Sequence, residues 1–431
     1  MSFVDPTAPR AARVGTGSQA PPGRPAGPGS AAGQAVELPT TGGRVCFLYI
    51  AQEHQTLHSV TAAVELARLR RDVQVDLVAT SQTTIDYLQL TVEGLGGSPV
   101  GYRLLGPAWL RGLKLAGSTP MKLPMLLANA HLLAGYDVIV TPERTTAALR
   151  SFGVRGPRLV YTQHGAGDRG GPFEPRLRKF DLVFAAGPKQ RDRMTREGLV
   201  TPERCAMVGY PKFDLVDALS TRPSEPFGDD RPVVLYNPHF DPKLSSWPTC
   251  GSDILAAFAA QDRYNLIFAP HIRLFGGADP ASIRCLAPFL GLPRIHLDLG
   301  GPSAIDMTYT RRADLYLGDA SSQVYEFLRT RKPCLFLDAH ATDWRGKESY
   351  RHWTFGPVVE PACDILSEVD AARRTHEAYL NAQDDSFRLT FDITAESSSA
   401  RAARAIAGLL RERAPSLSLS SAFAALALRP A

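Results

Sequence analysis

The sequence lacks the features that would assign it to several common classes of protein. Its six cysteines include no pair with CxxC spacing, so a structural zinc site is not expected. It contains no apolar run long enough to span a bilayer. Charged residues make up only 21% of the chain and the formal net charge is +5, a balance that does not indicate a nucleic-acid partner.

Several signature motifs of enzymes are also missing. There is no GxxxxGK[ST] phosphate loop, no HExxH zinc motif and no GxSxG nucleophile elbow. The first apolar run is followed by AQEHQ at residues 51–55 and not by a GxGxxG fingerprint, which argues against nicotinamide and flavin enzymes. His54 and His58 have helical i,i+4 spacing, but no suitable third metal ligand is nearby. We therefore predict neither a metal nor a cofactor.

The bulk composition predicts two globular domains with tails. With 431 residues, the chain is too long for one ordinary hydrophobic core. Apolar residues make up 44% of it, as in globular proteins. Residues 1–42 are rich in Pro, Gly, Ala and Ser and are predicted to be disordered, and residues 414–431 form a second weakly structured tail. No secretory leader is evident in the first 42 residues, so we expect a cytoplasmic protein.

A peripheral contact with the inner face of the cytoplasmic membrane stays open. Residues 107–134 form a basic apolar stretch that could touch a membrane or a lipid-linked acceptor. Core helices with lysines at their edges are the simpler interpretation of the same pattern.

Short apolar runs alternate with helical periodicity between the tails, and this alternation predicts the fold class. The runs of the first half are residues 44–50, 72–80, 137–141, 158–162, 181–185 and 205–208, and those of the second half are 232–236, 265–269, 314–318 and 333–338. Repeated strand–helix–strand units form parallel sheets covered by helices. We predict an α/β protein with two Rossmann-like domains, each built on a parallel sheet.

A Pro-rich break near residues 221–231 sets the predicted domain boundary. It separates a first domain, residues 43–220, from a second domain, residues 221–413. The amphipathic segment 398–413 is predicted to be a final helix that packs back on the first domain.

Polar segments follow five of the predicted strands, where open parallel sheets bind their ligands. In the first half, His164 enters a loop with Gly165, and its imidazole suits a general base. The alternative is a loop histidine that only caps the strand. Gly209 and Tyr210 follow the last strand of this half, and a turn at the domain boundary is the simpler explanation for them.

Two strands of the second half are followed by proline and histidine. His271 and Arg273 place an imidazole and a guanidinium two residues apart, a pair that suits a phosphate or an oxyanion. The segment that begins with Asn237 and contains His239 offers the same choice between a ligand contact and a surface loop, and we rank His239 below His271.

The last polar segment follows the strand at residues 314–318. Asp319, Ser321 and Ser322 precede a helix that is predicted to begin near Ser321, and free backbone N–H groups at such a start suit phosphate. Glu326 lies farther along the helix, where a carboxylate could accept hydrogen bonds from ribose hydroxyls. An ordinary capped helix is the alternative.

Taken in order, these segments resemble the CDP-glycerol glycerophosphotransferases, which build teichoic-acid-like polymers. The shared motifs are HG at residues 164–165, GYPxxD at 209–214, VLYNP at 234–238 and DxSSxxxEF at 319–327, within a resemblance that spans about residues 160–340. The resemblance implies two Rossmann-like domains of the glycosyltransferase B type, whose parallel sheets face each other across a cleft. It further implies that residues 43–220 form the acceptor domain and residues 221–413 the nucleotide-donor domain. It also implies that His164 is the catalytic base, that His271 contacts donor phosphate, and that Ser321 and Ser322 bind phosphate.

Three departures from the family pattern concern the donor and the acceptor more than the fold. Ala166 and Gly167 replace the usual Thr-Pro, Ala320 replaces an aromatic residue, and the order at Pro270 and His271 is reversed.

The predicted function is transfer of a glycerol phosphate or a sugar from a nucleotide-diphosphate donor to a hydroxyl of a polysaccharide or lipid-linked acceptor. Two alternatives remain open at this stage. One is a nucleotide-sugar 2-epimerase, which shares the architecture and needs no acceptor. The other is a non-catalytic protein that binds a nucleotide sugar.

Overall fold

A computed structural model describes residues 42–112, 121–169, 173–219, 226–276 and 283–410. The predicted N-terminal tail lies outside these ranges except for residue 42, as does the predicted tail 414–431. Parts of the basic stretch 107–134 and of the Pro-rich break also lie outside them.

The first half of the chain forms a seven-stranded sheet in which every pair of neighbouring strands is parallel. Its apolar runs are buried along most of their length, as expected for strands covered on both faces. The strands are β1 (Arg44–Tyr49), β2 (Gln74–Ala79), β3 (Gly101–Leu104), β4 (Val138–Thr141), β5 (Arg158–Tyr161), β6 (Leu182–Ala185) and β7 (Cys205–Met207). Their order is β3-β2-β1-β4-β5-β6-β7.

The second half forms a six-stranded sheet that is also parallel throughout. The strands are β8 (Val233–Asn237), β9 (Asn265–Phe268), β10 (Ile295–Leu297), β11 (Leu315–Gly318), β12 (Cys334–Leu337) and β13 (Val358–Val359). Their order is β10-β9-β8-β11-β12-β13.

Helices cover both faces of the two sheets. They are α1 (Val60–Leu69), α2 (Gln82–Gly94), α3 (Ala108–Gly112), α4 (Lys122–Ala128), α5 (Ala130–Ala134), α6 (Pro188–Arg196), α7 (Pro211–Ala218), α8 (Ser252–Ala259), α9 (Thr308–Arg312), α10 (Gln323–Phe327), α11 (Ile365–Arg374), α12 (Leu380–Thr390) and α13 (Ser398–Ala407). Short 3-10 helices lie between them, among them Glu53–His58 and Glu348–Phe355. None of the described helices is long and apolar enough to cross a bilayer.

The last helix packs on the layer that covers the first sheet. Ala402, Ala403 and Ile406 of α13 belong to the same buried cluster as Val60 and Ala63 of α1. The last described helix thus contributes to the hydrophobic core of the first half.

The predicted fold class is confirmed, because the described residues form two parallel sheets with helices on their faces. The predicted helix near Ser321 is shorter than expected, since α10 begins at Gln323 and has five residues. The domain boundaries at residues 220 and 413 stay predictions.

The strand order places the functional residues. In each sheet, successive strands are added first on one side of a central strand and then on its other side. This change of side falls between β1 and β4 in the first sheet and between β8 and β11 in the second. Ligands of open α/β sheets bind outside the carboxyl ends of the strands at such switch points. All the polar segments named above follow carboxyl ends of strands.

Candidate functional site

A cavity of about 600 Å³ lies where the carboxyl ends of strands from both sheets meet. Six of the ten histidines of the chain line it, so imidazole groups dominate the chemistry available there. These histidines are His54, His58, His164, His239, His271 and His352.

Eight of the eleven predicted site residues line this cavity: His164, Gly165, Tyr210, His271, Arg273, Ser321, Ser322 and Glu326. The structure therefore brings residues of both halves together at one place. Gly209, Asn237 and Asp319 do not line it.

Asn237 and Asp319 lie behind the cavity wall and organise the loops that form it. The side-chain amide of Asn237 donates a 2.6 Å hydrogen bond to the carbonyl of Ala269. The buried carboxylate of Asp319 accepts hydrogen bonds from the backbone N–H groups of His239 (2.9 Å) and Ser246 (2.7 Å). Both side chains thus hold the turns after β8 and β9 in place, and their predicted contacts with a ligand stay predictions.

Gly209 serves the packing of the last helix. Its φ of +82° lies in the left-handed region, and a Cβ there would overlap the hydroxyl of Ser398 and the guanidinium of Arg401. The next backbone N–H, that of Tyr210, donates a 2.9 Å hydrogen bond to the Ser398 hydroxyl. Glycine is therefore required where the strand passes α13.

His164 is held with one ring nitrogen free for chemistry. Its Nδ1 lies 2.9 Å from the carbonyl oxygen of Pro142, which can only accept, so Nδ1 carries the proton and Nε2 is an acceptor. Burial lowers the pKa of His164, although the Glu143 carboxylate and the Pro142 carbonyl oppose that effect. The imidazole is thus neutral at pH 7 and can take up a proton at Nε2.

His239 and His271 have the opposite tautomer. The Nδ1 of His239 accepts the backbone N–H of Asp241 at 3.0 Å, and the Nδ1 of His271 accepts that of Arg273 at 3.1 Å. Each neutral ring therefore carries its proton on Nε2. Burial lowers the pKa of His239 to about 4 and that of His271 to about 3, so both rings are uncharged hydrogen-bond donors at pH 7.

The two serines lie beside a loop of the first half. Ser321 is buried and Ser322 is exposed, just before the first turn of α10. A Cβ at Gly167, in the loop after β5, would lie 2.8 Å from the Cβ of Ser322. Only glycine lets that loop pass the serine pair, so both serine hydroxyls can reach the same ligand as the loop of His164.

The charges around the cavity leave an excess of positive charge. Each of its three carboxylates pairs with a lysine, in the ion pairs Glu143–Lys122 (2.6 Å), Asp168–Lys189 (2.9 Å) and Glu326–Lys212 (2.7 Å). Within the described ranges, no carboxylate pairs with Arg169 or Arg273. These two guanidinium groups remain available to an anionic ligand.

Asp168 links the two halves, a role that the sequence analysis missed. Its carboxylate accepts the hydroxyl of Tyr325 at 2.6 Å, the ammonium of Lys189 at 2.9 Å and the backbone N–H of His352 at 3.2 Å. The only signal in the sequence was its place in the polar loop of His164. Nothing in the sequence pointed to Lys189 or His352.

Glu326 makes a second link between the halves. Lys212 donates to both of its carboxylate oxygens, at 2.7 and 2.8 Å, and the Tyr210 hydroxyl donates to one of them at 2.7 Å. A carboxylate has about four lone-pair positions, so these three bonds leave little capacity for a ribose hydroxyl. The predicted ribose contact stays a prediction.

No protein-family model matches the sequence, and no curated protein matches it. Solved structures do resemble the chain. A structure called UDP-N-acetylglucosamine 2-epimerase from Listeria monocytogenes has a TM-score of 0.59 and 13% identity, and covers 90% of this chain and 98% of its own. A complex of MnaA from S. aureus with UDP has a TM-score of 0.56 and 14% identity, and the match covers 84% of this chain and 95% of the MnaA chain.

A third similar structure is a variant of the wall teichoic acid polymerase TagF soaked with CDPG. It has a TM-score of 0.55 and 12% identity, and covers 86% of this chain and 88% of that one. At such low identities the likeness concerns the fold alone. The chain therefore has the two-sheet α/β fold found in these glycosyltransferase-like enzymes.

Proposed function

We propose that this chain is a transferase. It moves a glycerol phosphate or a sugar from a nucleotide-diphosphate donor, of the CDP-glycerol kind, to a hydroxyl acceptor in the synthesis of a cell-surface polymer. One observation carries the proposal: His164, an imidazole that can accept a proton, shares a cavity with two imidazoles that donate hydrogen bonds and with an unpaired guanidinium, Arg273. The first group suits an acceptor hydroxyl and the others suit a diphosphate.

In the proposed reaction, the Nε2 of His164 takes the proton of the acceptor hydroxyl. The hydroxyl oxygen attacks the donor, and a bond forms to its phosphorus in glycerol phosphate transfer or to its anomeric carbon in sugar transfer. The bond from that atom to the bridging phosphate oxygen breaks, and the nucleotide leaves with the electron pair. His271, Arg273, Ser321 and Ser322 then stabilise the charge that develops on the leaving phosphate.

The similar solved structures support a nucleotide donor but do not choose its base. One of them holds UDP and another was soaked with CDPG. The resemblance of the sequence motifs favours a CDP-linked donor, and the positive charge of the cavity suits either.

Exposed apolar side chains support a lipid-linked acceptor and a peripheral membrane contact. Trp109, Leu123 and Leu127, from the basic stretch 107–134, are 68%, 51% and 57% exposed. Lys122, which lines the cavity, is adjacent to one of them in the chain. Sedimentation with phosphatidylglycerol vesicles should weaken in Leu123→Glu, whereas Leu90→Glu, at an exposed leucine of α2, should bind like wild type.

A nucleotide-sugar 2-epimerase is the second candidate, because the highest of the three TM-scores above belongs to a structure of that name. The state of two cavity carboxylates speaks against it. Burial raises the pKa of both carboxylates, Glu143 and Asp168. For Glu143, Lys122 and Thr145 outweigh burial and hold the pKa below its ordinary value. For Asp168, His352 and Lys189 do the same. Such carboxylates are weak bases. Donor conversion without any acceptor would favour the epimerase.

A thermal-shift screen with CDP-, UDP-, GDP- and ADP-linked donors tests the proposal first. The true donor class should raise the melting temperature most, since a ligand of the folded state stabilises it in proportion to its affinity. With that donor, His164→Ala should lose about 100- to 10,000-fold in turnover and keep the affinity for the donor. His131→Ala, at an exposed histidine outside the cavity, is the matched control. Wild-type turnover in His164→Ala would remove His164 from the mechanism. Binding of a donor without its consumption in the presence of any acceptor would indicate the non-catalytic alternative.

A further inference from the structure

Two neighbouring strands of the second sheet end in the same way. β8 runs into Pro238 and His239, and β9 runs into Pro270 and His271. Tyr236 pairs with Phe268, and this register, continued three residues, pairs His239 with His271. The pairing does continue, because the backbone N–H of His271 donates a 3.0 Å hydrogen bond to the carbonyl of Pro238. The two histidines are therefore cross-strand neighbours at the edge of the cavity.

The two rings are also held in the same way. In each, Nδ1 accepts the backbone N–H of the residue two positions later, and no described group binds Nε2. The ring centroids of His239 and His271 lie 5.6 Å apart. The backbone N–H of each histidine is also bonded, that of His239 to the buried carboxylate of Asp319 and that of His271 to the carbonyl of Pro238. Two Nε2–H groups at this spacing can reach oxygens of the same ligand.

An aromatic side chain connects the pair to a guanidinium. The ring of Phe240 lies 4.4 Å from His239 and 4.6 Å from His271, measured between centroids. The Cζ of Arg273 lies 4.0 Å from the centroid of Phe240. This stacking keeps the guanidinium beside the imidazoles.

The two rings are uncharged over the physiological range of pH. Burial and the neighbouring charges of Arg169 and Arg273 lower the pKa of His239, although Asp241 opposes them. Burial and the neighbouring His239 and Arg273 lower the pKa of His271. At any pH above the pKa of the ring, a neutral imidazole can donate its N–H to a phosphate oxygen. Such a contact therefore does not depend on protonation of the ring.

We propose that His239 is a second diphosphate-binding residue, which acts with His271 as a pair of Nε2–H donors to one diphosphate beside the guanidinium of Arg273. This inference rests on the proposed function and assigns to His239 a role that the family resemblance does not carry. Both imidazoles bind the leaving group of the transfer, and His164 remains the residue that accepts a proton.

Two substitutions separate this role from a structural one. In His239→Asn, the amide oxygen lies near the position of Nδ1 and can keep the bond from Asp241, but no group reaches the position of Nε2. In His239→Gln, the longer side chain can bring an N–H donor near the position of Nε2 but gives up the bond within the turn. Loss of one hydrogen bond to a charged phosphate should weaken binding about tenfold to a hundredfold in His239→Asn. His239→Gln should keep most of the affinity and melt at a lower temperature.

The probes are UDP-N-acetylglucosamine, CDP-glycerol and inorganic pyrophosphate, measured by titration calorimetry, with His131→Asn as the control for an exposed histidine. The reverse pattern, with full affinity in His239→Asn and loss in His239→Gln, would overturn the inference and leave the proposed function intact. A wild-type protein that binds none of the three probes would overturn both. In wild-type protein labelled with 15N-histidine, a probe that binds should shift two Nε2–H signals, and a shift of only one would also count against the pair.

Discussion

Replacing Lys212 alone should destabilise the protein more than replacing Lys212 and Glu326 together. The side chains of this ion pair are only 6% and 7% exposed, and the ammonium lies 2.7 and 2.8 Å from the two carboxylate oxygens. Lys212 belongs to α7, which follows the first sheet, and Glu326 belongs to α10, which follows β11 of the second. The pair therefore holds the two halves together at the wall of the cavity.

The magnitude follows from what each substitution leaves behind. Lys212→Met leaves a buried carboxylate whose sole described hydrogen-bond donor is the Tyr210 hydroxyl, and removal of one partner of a buried pair costs about 3–5 kcal/mol. Glu326→Leu leaves a buried ammonium and should cost a similar amount. In the double variant no charge is left unpaired, and the main loss is the acceptor of the Tyr210 hydroxyl, about 1–3 kcal/mol. The coupling free energy of the cycle should therefore exceed about 3 kcal/mol.

Equilibrium urea denaturation of the wild type, the two single variants and the double variant measures this coupling. The slopes against urea should agree within the set, so that differences in midpoint report stability. The exposed pair Arg196–Glu348 is the matched control, since it also joins the two halves but its side chains are 59% and 56% exposed. Its coupling should stay below about 1 kcal/mol.

A coupling of less than about 1 kcal/mol for Lys212 and Glu326 would refute the reasoning, because it would mean that water reaches the pair. The same proteins test the predicted ribose contact of Glu326. If the carboxylate serves mainly the ion pair, Glu326→Gln should lose stability with little loss of donor affinity in the folded protein. A large loss of affinity at unchanged stability would favour the ribose contact.

Three further predictions concern pH and backbone conformation. Burial raises the pKa of Asp168, but the hydrogen bond from His352 and the charge of Lys189 outweigh it and hold the pKa below its ordinary value. The stability that Asp168 contributes is then complete above about pH 4 and is lost as the pH falls further, so Asp168→Asn should show a flatter free energy of unfolding between pH 5 and 3 in urea titrations. Gly209→Ala should lower the melting temperature more than Gly198→Ala, because both glycines have positive φ but only at Gly209 would a Cβ meet other atoms. Since burial lowers the pKa of His164, kcat/KM should fall on the acid side below the ordinary histidine pKa of about 6.5, and an acid limb above that value would exclude His164 as the base.

Most of the strands that the sequence predicted lie deep in the sheets, and the exception is β7, at the edge of the first sheet. Runs such as residues 44–50 are apolar at nearly every position because both faces of these strands are covered, and this composition is visible without a structure. The strands that were missed, β3, β10 and β13, lie at the edges of the sheets and are two to four residues long. Their residues are mostly half-buried, so no apolar run marks them.

The candidate site likewise has residues that the sequence could predict and residues that it could not. Residues that follow the carboxyl end of a strand could be predicted, because the fold class alone says where ligands bind. The partners of Asp168 could not be predicted, because Lys189 and His352 lie 21 and 184 residues from it in the chain. The interpretation of Glu326 from its place in a helix could not foresee Lys212, 114 residues earlier in the chain. Ion pairs between halves depend on how the halves meet, and local sequence does not encode that.

The tautomers of the histidines set a further limit on what the sequence can tell. For His239 and His271 the deciding contact is local, since each ring accepts the N–H of the residue two positions later, and the repeated strand–Pro–His pattern was visible from the start. For His164 the deciding contact is the carbonyl of Pro142, which follows a different strand, 22 residues earlier. Whether the Nε2 of a histidine in this cavity accepts or donates a hydrogen bond is thus fixed by a neighbouring backbone group. The proposed division between a base and two phosphate donors consequently depends on the pairing of β4 with β5, which brings Pro142 beside His164.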